Sequence, residues 1–244
     1  MTCYMIKLRF DGTNYAGYQR QANANTVGEE VLKALTAFFG SVEALSGCSR
    51  TDSGVHANCY CASFRAEKRA EPDRVVRGLN GLLPRDISVF DCCEVPPEFH
   101  ARYSVKSKEY VYYILNSRIR DPFYEKYALL FPLPLDTEEL NRECKAFVGT
   151  HDFSAFCAAG ASVEDKRRTV ESARFERQGD LVSFRVRGDG FLYNMVRIMV
   201  GTCLDIAAGK IEKGKIKEII DSGNRKNAGH TAPAHGLFLD SVIY

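Results

Sequence analysis

A chain of 244 residues, 45% hydrophobic and 26% charged, has enough apolar side chains for a substantial core and enough length for one large domain or two modest ones. Its 33 basic and 31 acidic side chains nearly cancel to +2, so net charge does not announce a nucleic-acid partner; a phosphate-binding field has to come from clusters such as Lys166-Arg167-Arg168 or the lysines from Lys210 to Lys217. No apolar run approaches the roughly 18 to 20 residues of a membrane helix, and the first residues run straight into strand-like alternation without a signal-peptide core, which sets the cytoplasm as the expected location.

Residues 4 to 10 alternate like a strand. Thr26-Val27-Gly28-Glu29 then has the form of a capping box ahead of Val31, Leu35 and Phe38 at helical spacing. Residues 43 to 49 and 56 to 65 read as two strands around a turn, Pro72 to Leu83 as a helix ended by Pro84, and Ile87 to Val95 as another strand. After Pro96-Pro97 the order restarts. The aromatic run from Glu109 to Ile114 reads as a strand, and Asp136-Thr137-Glu138-Glu139 caps a helix carrying Leu140, Cys144 and Phe147. Strands at Thr169 to Arg177 and Leu181 to Arg187 flank the turn Gln178-Gly179-Asp180. An apolar helix from Tyr193 to Ala208, a polar helix near Lys213 to Asp221 and a closing strand from Gly236 to Tyr244 complete the chain.

Each half therefore follows the order strand, helix, strand, strand, helix, strand. That is the split βαβ pattern, ferredoxin-like or RRM-like, with helices on one face of a mostly antiparallel sheet. The expected class is α+β, with an N-terminal half over residues 1–104 and a C-terminal half over 105–244 sharing a central sheet.

Nine cysteines invite a metal or disulfide reading, but there is no zinc-type Cys-x-x-Cys pair: Cys59 and Cys61 are one residue apart, and Cys92 and Cys93 are adjacent. Reduced structural thiols are expected, Cys59 and Cys61 sharing one face of a strand.

Three features stand out chemically. The turn Arg50-Thr51-Asp52-Ser53-Gly54-Val55-His56 places a cation, a carboxylate and a glycine together, although its composition also suits a polar hairpin loop with Asp52 bonded to its own backbone. Arg197 is the only charge between Phe191 and Leu204; a guanidinium on so apolar a helix requires an acceptor. Asp52 would be an economical partner, since a nucleophilic carboxylate in a protected pocket needs a nearby cation to stay ionised; the competing reading has Arg197 reaching the surface or capping backbone carbonyls. Third, Tyr110 and Tyr112 share one strand face and Tyr113 takes the other, so one face could stack a base.

The segments Asp11 to Gln21, Arg50 to Ala57, Phe99-His100-Ala101-Arg102-Tyr103-Ser104 and Phe191 to Arg197, with Asp121-Pro122-Phe123 and Ala232 to Leu237, together resemble the tRNA pseudouridine synthase A family over nearly the whole chain. The resemblance implies a pseudouridine synthase fold and isomerisation of uridine at positions 38, 39 and 40 of the tRNA anticodon arm, by a homodimer with neither cofactor nor metal. It implies that Asp52 is the nucleophile, Tyr110 stacks on the uracil, Arg197 pairs with the aspartate and Arg50 helps extrude the nucleotide. Attack by Asp52 on C1′ of the ribose, attack on C6 of the uracil, and assistance of a glycal route all fit this inventory. The chain departs from the family pattern at Ser49 (usually glycine), Ser53 (usually alanine) and Tyr18 (usually tryptophan); none of these removes a reacting group. Competing readings are a pseudouridine synthase for another RNA, a non-catalytic RNA-binding module, which the split βαβ pattern also suits, and a metal-dependent hydrolase, for which His56 lacks companion ligands.

Overall fold

The computed structural model describes residues 1–160 and 163–244, which form two compact units: Met1–Lys106 with Phe238–Tyr244, and Ser107–Leu237.

In the first unit, strand β1 (Thr2–Phe10) buries Tyr4, Ile6, Leu8 and Phe10 at alternate positions, as a half-buried strand must. Helix α1 (Val27–Phe39) begins where Thr26 Oγ1 accepts the Glu29 N–H at 3.3 Å. The capping box closes on that side only, because the Glu29 carboxylate instead takes the Arg20 Nε at 2.7 Å. Strands β2 (Glu43–Gly47) and β3 (His56–Ala66) flank the Asp52 turn. Helix α2 (Pro72–Asn80) stops short of the expected Leu83: the Asn80 amide donates to the Val76 and Val89 carbonyls and accepts the Val89 N–H, tying the helix end to β4 (Ile87–Glu94).

β1 pairs antiparallel with both β3 and β4, and β2 pairs antiparallel with the far half of β3, giving the order β4-β1-β3-β2 expected of a split βαβ unit. Tyr4 and Phe64, 5.4 Å apart, head a buried aromatic cluster with Phe39.

In the second unit, β5 (Ser107–Leu115) pairs in full antiparallel register with β9 (Leu181–Gly188), which pairs with β8 (Arg167–Gln178). Two short strands absent from the sequence reading join this sheet: β6 (Leu129–Leu130), parallel to β5, and β7 (Gly149–Asp152), antiparallel to β8. The unit is built on the order β6-β5-β9-β8-β7. Helix α3 (Thr137–Cys144) is capped by Asp136, whose carboxylate accepts the N–H groups of Glu138 and Glu139. Helices α4 (Met195–Ala207) and α5 (Ile216–Ser222) follow. One sheet face carries Tyr110, Tyr112, Ile114, Phe175, Val182, Phe184 and Val186, all buried; the other carries the network of Glu109 with Arg185 and Arg187.

The closing strand β10 (Leu237–Ile243) runs parallel to the start of β3, with Phe238 opposite His56 and Leu239 opposite Ala57. Its residues from Phe238 onward therefore belong to the first unit.

Candidate active site

Asp52 sits, half-buried, in a turn closed by the Val55 N–H donating to its carbonyl at 3.2 Å. Gly54, the third residue of that turn, has φ 77°, a left-handed value that glycine adopts without a Cβ penalty.

The turn is held by a segment that sequence reasoning had quoted only as part of a family pattern, Asp11 to Tyr18. The Gly54 N–H and the Ser53 hydroxyl both donate to the Tyr15 carbonyl, at 3.2 and 3.3 Å. The Tyr18 N–H donates to Thr51 Oγ1 at 3.0 Å, and Thr51 is itself buried. A Cβ at Gly17, whose φ is 88°, would overlap the Thr51 carbonyl oxygen, so this approach of the two backbones requires glycine. Tyr15 is pinned in turn: its hydroxyl donates to Asp86 Oδ1 at 2.6 Å, and burial, followed by that bond, pushes the phenol well above its ordinary range. The signal available in sequence was a glycine and two tyrosines within four residues, but their partner is some 35 residues distant and nothing local names it.

His56 supports the turn from its other end. The imidazole is fully buried, its Nδ1 accepts the Gly12 N–H at 3.0 Å, Asp11 Oδ1 lies 3.2 Å from the same nitrogen, and Phe238 stacks on the ring at 4.6 Å. Below the turn Tyr18 stacks on Tyr60 at 4.1 Å, and the Tyr60 hydroxyl donates to the Ser49 carbonyl. Arg50 is solvent-exposed, beside a backbone that is therefore fixed on both sides.

Tyr110 and Arg197 belong to the second unit. Tyr110 and Tyr112 do share a face, opposite Tyr113, but Tyr110 is only 6% exposed, and its ring meets Phe191 edge-on at 5.2 Å. Helix α4 starts at Met195, two residues later than expected, because Asn194 has φ 59° and ψ 10°, a left-handed conformation that asparagine tolerates better than most residues. Arg197 is half-buried. Its Nε donates to the Ala232 carbonyl at 2.7 Å and a terminal nitrogen donates to Asn194 Oδ1 at 2.7 Å. These two bonds fix the plane of the guanidinium. The Ala232 N–H returns a bond to the Arg197 carbonyl, and the Tyr112 hydroxyl donates to the Pro233 carbonyl. The sequence segment Ala232 to Leu237 is thus anchored by α4 and β5.

A sequence-family profile described as tRNA pseudouridine synthase matches residues 7–104 and 144–244. The chain belongs to the tRNA pseudouridine synthase family. Relatives called tRNA pseudouridine synthase A include one from Halalkalibacterium halodurans, 46% identical over 95% of this chain and 89% of its own length. Others come from Acetivibrio thermocellus, 44% identical over 97% of both chains, and Thermoanaerobacter pseudethanolicus, 42% identical over 98% of both. Enzymes of this family are isomerases: uridine and pseudouridine have the same atoms and differ in whether N1 or C5 of uracil carries the ribose. Asp52, Arg50 and Arg197 fall inside the matched blocks, and Tyr110 falls in the interval between them.

Proposed function

We propose that this chain converts uridine to pseudouridine in the anticodon arm of tRNA, at positions 38, 39 and 40, with Asp52 as nucleophile. What carries this reading is the turn: a carboxylate half-open to solvent on a backbone clamped by Tyr15, Gly17, Tyr18 and His56 is a preorganised reactive group and not a flexible loop tip. A nucleophilic carboxylate has to be ionised, and Arg197, with its guanidinium plane set by Ala232 and Asn194, is the cation assigned to it. Tyr110 stacks on the uracil, and Arg50 helps to extrude the nucleotide. Unstacking a base costs a few kcal/mol, which contacts between basic side chains and tRNA phosphates offset. The enzyme works as a homodimer in the cytoplasm, and the rearrangement consumes neither cofactor, metal nor water.

The test is to incubate the protein with unmodified tRNA transcript and map pseudouridine by carbodiimide-dependent reverse-transcription stops. New stops in the anticodon arm with the native protein, and none with Asp52→Ala, are expected. Full activity in Asp52→Ala would sink the assignment. A second reading keeps the chemistry and changes the RNA: Ser53, where the family usually has alanine, bonds the Tyr15 carbonyl and so alters how the turn is tied. Comparing tRNA with ribosomal RNA fragments as substrates separates the two.

A further inference from the structure

The segment Phe99 to Ser104 takes no part in the Asp52 turn, yet it presents Tyr103 with 76% of its surface open to solvent. The turn beneath that ring is locked. The Tyr103 and Ser104 N–H groups donate to the His100 carbonyl at 3.1 and 2.9 Å, the Ser104 hydroxyl accepts the His100 N–H at 3.2 Å, and His100 Nδ1 accepts the Arg102 N–H at 3.1 Å. Buried Ala101 roots the turn in the sheet of the first unit. Its N–H donates to Ser63 Oγ at 3.0 Å and its carbonyl accepts the Tyr244 hydroxyl at 2.8 Å, while Phe99 packs on the Tyr244 ring. A large aromatic held rigidly in water has no part in the core, and a fixed, exposed loop side chain of this kind is suited to a ligand.

The neighbours of the ring say which ligand. The His100 imidazole lies 4.4 Å from the Tyr103 ring at 35°, and the Arg102 guanidinium stands 5.7 Å from the ring centroid. Arg102 is exposed and has no carboxylate partner among the described residues. Lys106 is exposed three residues further on, and the exposed Arg65 donates to the Pro97 carbonyl at 3.0 Å, so cations outnumber Glu98, the one acid between Pro96 and Lys106. We propose that Tyr103 is a stacking platform for an unpaired base of the tRNA substrate, with Arg102 on the adjoining phosphate. Every nucleobase offers a flat π-face to such a ring, and a guanidinium beside it suits the backbone that the base hangs from. Tyr103 is the only exposed large apolar or aromatic side chain on its turn, far short of the roughly 800 Å² a side that a stable protein interface takes. The platform rests on tRNA being the substrate.

Its place in the first unit fixes what the platform contributes. Ser63, which holds Ala101, lies on β3 well beyond His56, the residue that opens the strand beside the Asp52 turn. At about 3.3 Å per residue that stretch of strand spans roughly 20 Å. Tyr103 therefore takes a second nucleotide of the same tRNA and not the uridine presented to Asp52. Binding energy gained so far from the reacting atoms is the same before and during the chemical step, so it belongs to KM and not to kcat.

The full chain and its variants are compared in binding and steady-state modification of an unmodified tRNA transcript. Tyr103→Ala should weaken binding and raise KM by about 5- to 100-fold, the effect of losing one base–aromatic stack, with the loss in KM and not in kcat. Tyr103→Phe keeps the ring and should recover the affinity. Arg102→Gln should weaken binding and lower the slope of log K against log salt by about one. Ultraviolet crosslinking of the unmutated chain to the transcript should join the peptide carrying Tyr103 to a nucleotide other than the modified uridine, which decides the matter even if a variant fails to fold. Native affinity in Tyr103→Ala, an equal loss in Tyr103→Phe, or crosslinks that map only elsewhere overturn the platform and leave the modification of tRNA standing. Loss of self-association in Tyr103→Ala at native tRNA affinity makes the residue a protein contact instead. An unmutated chain that binds no tRNA overturns the platform and the substrate together.

Discussion

The phenol oxygen of Tyr18 is buried with no hydrogen-bond partner among the described residues, while its ring stacks on Tyr60 directly beneath the Asp52 turn. The ring is needed there and the hydroxyl is not. Desolvating an unpaired hydroxyl costs about 1–3 kcal/mol, so Tyr18→Phe should leave stability unchanged or raise it by up to about that amount. A urea midpoint below that of the native protein would show that the hydroxyl has a partner after all. Arg197 poses the opposite case, because its charge is retained although two of its donors are spent on Ala232 and Asn194. If its remaining role is to hold Asp52 ionised, Arg197→Lys should retain the fold but lose roughly 10²-fold or more in kcat, as removal of one preorganised donor does elsewhere. Undiminished kcat with an unchanged melting temperature would confine Arg197 to holding Ala232 and Asn194.

Helix α4 ties the segment from Gly229 to Ala232 into the second unit. Along one side it presents Arg197 to Ala232, Gly201 to His230, Thr202 to the Gly229 N–H at 2.9 Å, and Asp205 to the His230 N–H and imidazole at 3.0 and 2.9 Å. Burial alone would raise the Asp205 carboxyl, but His230 and Lys210 together outweigh it and hold the group below 3.8. A carboxylate depressed in the folded state stabilises above its unfolded pKa and loses that contribution as pH falls through the folded value. Asp205→Ala should therefore cost about 1–3 kcal/mol at neutral pH, with the gap to the native protein narrowing below about pH 4. A gap independent of pH would mean that packing, not charge, is what the substitution removes. At this scale the sequence was legible wherever the determinant is local. Thr26 and Asp136 cap the helices expected of them, Gly179 takes φ 60° in the expected turn, period-two alternation marked β1, and an aromatic run marked β5. It was illegible where a partner is distant. β7 has four residues with no apolar alternation and exists because β8 supplies its bonds, α2 stops where Asn80 reaches β4, and the clamp of Tyr15 and Gly17 on the Asp52 turn joins segments that no local pattern connects.

At the scale of the whole chain, the first unit is discontinuous, since residues 107–237 intervene before Phe238–Tyr244 complete it. Those last residues are not ornamental. Phe238 stacks on His56, Asp240 accepts from the Asn58 amide at 2.7 Å, the Ile243 carbonyl accepts the Lys106 N–H at 2.8 Å, and Tyr244 covers Cys61 while packing on Phe99 at 4.9 Å. The start of β3 is thus unfinished until the final strand is in place, and His56, which orders the Asp52 turn through the Gly12 N–H, stands at that start. Removing residues 238–244 should accordingly act locally and not as a general loss of structure. Amide hydrogen exchange should accelerate by orders of magnitude at His56 to Asn58 and through the Asp52 turn, while the β8–β9 pair and the β1–β4 pair keep their protection. The same truncation should suppress tRNA modification even though Asp52, Tyr110 and Arg197 are all retained. Uniform loss of protection in both units would instead make the final strand a condition for folding at all, and unchanged exchange at His56 would show that the turn is ordered without it.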